Sequence, residues 1–112
     1  MIEIFYKDRL VVSDVRVANN FWSRLMGYMF RLKPHCPAIL FLPAVSIHTF
    51  FMNFNLDIIF LDKRNRILKI YRDFPPWRHT WFYFNAKTTL EIPTGVLPVD
   101  IQVGDILEIR HV

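Results

Sequence analysis

Three apolar runs in the middle of the chain, Ala38–Leu42, Ser46–Met52 and Leu56–Leu61, carry hydrophobic residues almost without alternation. A strand exposed on one face alternates apolar with polar residues, so such runs call for burial on both faces or for closure into a barrel. Turn signals separate them from further short runs at Ile2–Tyr6, Leu10–Val17, Arg66–Tyr71, Thr88–Ile92 and Ile106–Arg110. Lys7-Asp8-Arg9 joins the first two of these as a hairpin. Asp62-Lys63-Arg64-Asn65 is the strongest tight-turn signal, with Asn65 able to accept positive φ, and Gly104 is expected at positive φ before the last strand.

One helix is predicted. Asn19 or Asn20 caps it, and Phe21, Trp22, Leu25, Met26 and Met29 fall on one stripe expected to face the core. Arg24, Gly27 and Arg31 share the opposite side, and Pro34 and Pro37 hold the following Lys33–Pro37 segment as a loop. Strands in excess with a single helix give an α+β domain: a small antiparallel β-barrel-like sheet with one main helix packed against it, a single domain over residues 1–112.

Composition closes off several classes. A chain of 112 residues that is 53% hydrophobic can bury a core without a disulfide framework, and its single Cys36 agrees. The longest apolar stretch, Pro37–Val45, is far short of a membrane span, and the acidic start Met1-Ile2-Glu3 is unlike a secretory leader, so a cytoplasmic monomer is expected. Three glycines leave no phosphate-binding loop or dinucleotide fingerprint, and no cofactor is expected. His35, His48, His79, His111 and Cys36 lack metal-ligand spacing, so no metal is expected either, and Cys36 reads as a spare surface thiol beside His35.

Several motifs occur in one order: Arg24–Arg31, Ile39-Leu40-Phe41, Ile47–Met52, Leu56–Asp62, Leu90-Glu91-Ile92-Pro93-Thr94-Gly95 and Val103-Gly104-Asp105. Together they resemble the domain-of-unknown-function 192 family over nearly the whole chain from Val15. The resemblance implies a small β-barrel-like α+β domain with no established activity and a cleft suggested to bind carbohydrate or another small ligand. Tyr28, where Leu is usual, and Asn55, where Pro often precedes the Leu-Asp pair, depart from the family pattern.

Function must then come from polar residues set among apolar ones. His48, Thr49, Asn53 and Asp57 are such residues, joined by Arg24 and Arg31 if the helix packs over that end of the sheet. Burying them unpaired costs about 1–3 kcal/mol each, so they must find one another, backbone, water or a ligand. Strand alternation sends His48 and Thr49 to opposite faces unless a bulge intervenes. The bland alternative is structural, with Asp57 accepting an arginine fork or backbone amides.

The leading expectation is a non-enzymatic module binding a small polar ligand, such as a saccharide, in a barrel-end cleft. Arg24 and Arg31 supply charge, His48, Thr49, Asn53 and Asp57 hydrogen bonds, and Trp77 a stacking wall. The second is nucleic-acid binding through residues 63–78, where six bases against the single acid Asp73 give a local charge of +5 in a chain of net charge +4. Trp77, Trp81, Phe82, Tyr83 and Phe84 interleave aromatics with this base, although a Trp81–Phe84 strand closing the core is the safer assignment. A third is a hydrolase using Asp57 and His48 as acid and base.

Overall fold

The computed structural model of the chain describes all of residues 1–112. Strand β1 (Ile2–Tyr6) turns through Lys7 and Asp8, at φ 51° and 61°, into β2 (Arg9–Val12). Positive φ at both central residues matches the right-handed twist of paired strands, so the expected hairpin forms. The run Leu10–Val17, expected as one strand, breaks at Ser13-Asp14, where Asp14 has φ 55°. Its second half becomes β3 (Arg16–Ala18), which belongs to a different sheet.

After β3, Asn20 caps α1 (Phe21–Met26), its side chain accepting from the Ser23 amide while the Ser23 hydroxyl accepts from the Asn20 amide. The sheet then gains β4 (Ile39–Phe41), β5 (Leu56–Leu61), β6 (Ile67–Phe74) and β7 (Thr88–Pro93), before β8 (Glu108–His111) closes the chain. One sheet has the order β2-β1-β8, the other β3-β4-β7-β5-β6. All pairings are antiparallel except β3 with β4.

The architecture is α+β, but the sheets do not close into a barrel. The positive-φ turn at Asp14 hands the chain from one sheet to the next, and backbone bonds from Val15 to Ile2, Ile67 to Asp105 and Leu107 to Asn65 hold the two open sheets together. The turn at Asp62–Asn65 is as expected, with Asn65 at φ 62° and Asp62 Oδ1 accepting from the amides of Arg64 and Arg66. Gly104 has φ 95°.

The uninterrupted apolar runs are explained by burial on both faces. Ile59 and Leu61 of β5, Leu40 of β4 and Leu90 and Ile92 of β7 join a core with Ile4, Tyr6 and Leu107 of the smaller sheet's side. Leu56, Ile58 and Phe60 of β5 and Ile39 and Phe41 of β4 face the other way, into a second core with Tyr28, Ile47 and Met52. Ser46–Met52 is not a strand; only His48 makes a bridge, to His79. Residues 81–84 form no strand either, and Trp81, Phe82 and Phe84 are exposed while Tyr83 is half-buried. The helix also departs from expectation: α1 has six residues, none buried, and Phe21 and Trp22 are 69% and 65% exposed. Two turns ending at Gly27 cannot carry a stripe as far as Met29, so α1 does not pack as a core helix. No helix is long and apolar enough to cross a membrane.

Candidate functional site

Beneath α1 lies a cleft of about 250 Å³, bounded by α1, the Gly27–Met29 turn, the segment Pro43–His48 and Met52. Its floor is the edge of Phe41 and the carboxyl of Glu91, one residue from each of two neighbouring strands. Alternation along β7 puts Leu90 and Ile92 into the inter-sheet core and Glu91 on the opposite face, toward the cleft.

Gly27 brings the backbone down onto this floor. It has φ 42°, and a Cβ there would stand 3.1 Å from Phe41 Cζ and 3.7 Å from Glu91 Oε1. Glycine is therefore required both by the backbone conformation and by the close approach.

Glu91 is 2% exposed, and its Oε1 has no hydrogen-bond partner. Its partners across the ladder are Ile39 of β4 and Ile58 of β5, which offer nothing polar from their side chains. Burial alone pushes the carboxyl up to about 8, so at neutral pH it holds its proton. Beside it, the buried Tyr28 hydroxyl donates to the Cys36 carbonyl at 3.0 Å, and burial raises the tyrosine well above its ordinary value. Cys36 is buried rather than a surface thiol; its Sγ donates to the Ala38 carbonyl, 3.7 Å away, and burial pushes the thiol up, the opposite of an activated nucleophile. Its Sγ also lies 3.7 Å from His35 Nε2.

The cleft walls are apolar and adaptable: Met26, Met29 and Met52, three of the four methionines, with Phe21 and Leu25 of α1. Arg24, Ser46 and His48 supply polar groups. The Arg24 guanidinium is committed to backbone carbonyls, Nη1 to Pro43 at 3.0 Å and Nε to Asn20 at 3.3 Å. His48 Nδ1 accepts from the Phe50 amide at 3.2 Å, and its ring stacks on Phe50. Ser46, His48 and Glu91 line one cleft but no hydrogen bond links them, so they form no wired nucleophile, base and acid.

Of the residues expected to form one polar cluster, Arg24 and His48 reach the cleft and the others do not. Thr49 is buried beyond it, donating from Oγ1 to the Pro75 carbonyl at 2.8 Å and accepting from the Arg78 amide at 3.0 Å. Asn53 Nδ2 donates to the carbonyl of Arg31, a residue exposed outside the helix. Asp57 is 2% exposed and accepts from the Asp73 amide of β6 at 2.8 Å, so of the two expected partners a backbone amide holds it, not an arginine. Asp57 and His48 therefore share no site. Trp77 is exposed at φ 65° and packs on Phe51 with ring centroids 4.7 Å apart. The basic residues of 63–78 are all exposed. No group of three or more His, Cys, Asp or Glu side chains is placed to hold a metal ion.

Sequence reasoning does not single out Glu91, although it lies inside the Leu90–Gly95 motif. The available signal was an acid within an apolar run, Leu90-Glu91-Ile92, which only the central position of β7 turns into a buried carboxyl.

Comparison with known proteins gives a match to the family model DUF192, described as an uncharacterized ACR, over residues 3–109. The UPF0127 protein of Pyrococcus furiosus is 34% identical over 108 residues, covering 91% of each chain. The crystal structure of a protein of unknown function from Novosphingobium aromaticivorans superposes with TM-score 0.78 at 22% identity, over 96% of this chain and 82% of that one. A second structure, from Sinorhizobium meliloti and provisionally described as a transcription regulator, superposes with TM-score 0.71 at 18% identity, over 96% and 90% of the two chains. At such identities the structures establish the fold alone.

Proposed function

The chain belongs to the domain-of-unknown-function 192 family, and we propose that it is a monomeric, non-enzymatic module that holds a small ligand in the cleft beneath α1. The observation that carries this reading is the Glu91 carboxyl, fully buried, facing the cleft, with Oε1 unpartnered. A group in that state costs about 1–3 kcal/mol, a cost an apolar residue would avoid and a ligand would offset. The volume, about 250 Å³, suits a molecule smaller than a typical drug. A saccharide, with hydroxyls on Glu91 and His48, is one narrower form of the reading, and a small amine is another.

Nuclear magnetic resonance titration of the wild-type chain with a panel of saccharides, small alcohols and small amines tests this. Amide shifts confined to Gly27, Tyr28, His48 and Met52 are expected. A panel that moves none of them, or moves only signals around Thr49 and Trp77, overturns the reading.

One observation favours a second reading, nucleic-acid binding. Lys63, Arg64, Arg66, Lys69, Arg72 and Arg78 are exposed, and none is ion-paired with an acid. Trp77, Trp81, Phe82 and Phe84 are exposed near them in sequence. Such a surface binds polyanions weakly, with affinity falling steeply as salt rises. Selective binding of one oligonucleotide at physiological salt would make this the principal function.

A further inference from the structure

The polar inventory of the cleft says what kind of ligand it suits. Glu91 is its one acid, and the only lysine or arginine along its walls, Arg24, already donates to the carbonyls of Asn20 and Pro43. The carboxyl therefore has no internal counter-charge. Around it stand the edge of Phe41, Phe21 and a methionine wall, surfaces that attract an apolar body and leave a charged end only the carboxyl to pair with. A polyol fits less well, since most of its hydroxyls would meet apolar walls and lose their water partners without replacement.

We propose that the ligand is a small organic monocation, a primary ammonium on an apolar body, whose charged end seats on Glu91 and whose body lies against Phe41 and the methionines. This rests on the cleft being a ligand site, and it adds the chemical class. No covalent bond changes. The ammonium enters with its own proton, Glu91 releases one proton to solvent, and the product is an ion pair shielded from water.

Other titratable and charged groups stand around Glu91. Tyr28, from the turn after α1, is tied to the Cys36 carbonyl, and Cys36 behind it is buried. Arg24 from α1 donates to the carbonyls of Asn20 and Pro43, and β4 and β5 present Ile39 and Ile58. His48, from the Pro43–His48 segment, accepts a hydrogen bond from the Phe50 amide at Nδ1. Replacing Glu91 separates its contribution from that of His48.

The probes are 2-phenylethylammonium chloride, its neutral isostere 2-phenylethanol, and methyl glucoside, titrated calorimetrically into the wild-type chain between about pH 6 and about pH 8 in two buffers of different ionisation enthalpy. Release of close to one proton per bound ligand at about pH 6, falling toward about half a proton near pH 8 where free Glu91 is itself half ionised, and an affinity for the ammonium rising up to about tenfold per pH unit are expected. Glu91→Gln should weaken ammonium binding at least about tenfold and leave the alcohol unchanged, an order of magnitude that follows from losing a buried charge partner. The wild-type proton count stands without the variant. If 2-phenylethanol or the glucoside binds as well as the ammonium, with no proton released, the cation assignment falls while the cleft remains a ligand site. If none of the three binds, both fall.

Discussion

Asp57 and Glu91 are two carboxyls on adjacent strands, each 2% exposed, and they occupy opposite faces of the same sheet. Asp57 sits where the β5–β6 register shifts, and the Asp73 amide freed by that irregularity donates to it. A bulge leaves a backbone donor without a ladder partner, and a short acid on the next strand is a ready acceptor. Glu91 faces the cleft and meets no donor at Oε1. Burial alone therefore does not distinguish the two acids. The state of their hydrogen bonds does.

The contrast should be plainest in the pH dependence of stability. Folded Glu91 keeps its proton up to about 8, whereas the unfolded chain releases it near the ordinary value of 4.5. Between those two values the folded state binds more protons, so stability falls as pH rises, by up to about 1.4 kcal/mol per unit, and levels off above the folded value. Denaturant titrations at stepped pH should show this decline of several kcal/mol in the wild type and its disappearance in Glu91→Gln. A wild-type profile that is flat across that interval would remove the buried, protonated acid from the account.

Asp57→Ala should destabilise by about 3 kcal/mol, since it removes a charge-assisted bond and strands the Asp73 amide. Chemical unfolding at neutral pH measures it, and a loss well under about 1 kcal/mol would mean that water replaces the carboxylate. Glu91→Met should do the reverse. At a pH near 4.5, where ionisation of Glu91 in the folded state is not at issue, it should gain about 1 kcal/mol, the low end of the cost of an unpaired buried polar group. A melting temperature lower than that of the wild type would assign Glu91 a structural bond.

Much of the strand content was legible because turn chemistry is local. Lys7-Asp8, Asp62–Asn65 and Gly104 marked their turns from residue type alone, and the unalternating runs at 38–42 and 56–61 correctly announced burial on two faces. The same signal misled at Ser46–Met52, where Phe51 at φ 62° and a single bridge replace a strand. The amphipathic stripe Phe21–Met29 misled differently: its periodicity was genuine, but a two-turn helix leaves Phe21 and Trp22 in solvent and turns Met26 and Leu25 toward a cleft. The candidate site was the least legible part. Arg24 and His48 were named from composition and context, but Glu91 required the strand order β4-β7-β5, a relation between segments distant in sequence.

That distance has a kinetic side. In the smaller sheet Ile2 pairs with His111 and Phe5 with Glu108, so β1 cannot complete its ladder until a strand more than about a hundred residues away in sequence has been brought back to it. Closing so long a loop is entropically costly, while the β5–β6 hairpin joins neighbours across the five residues 62–66. The order of assembly that follows has the β5–β6 hairpin forming early and the β2-β1-β8 sheet zipping last, with β1 waiting for β8. During that wait β1 presents Ile2, Ile4 and Phe5 with one edge unpaired, which makes this strand the place where a nascent or refolding chain is most open to pairing with a neighbour.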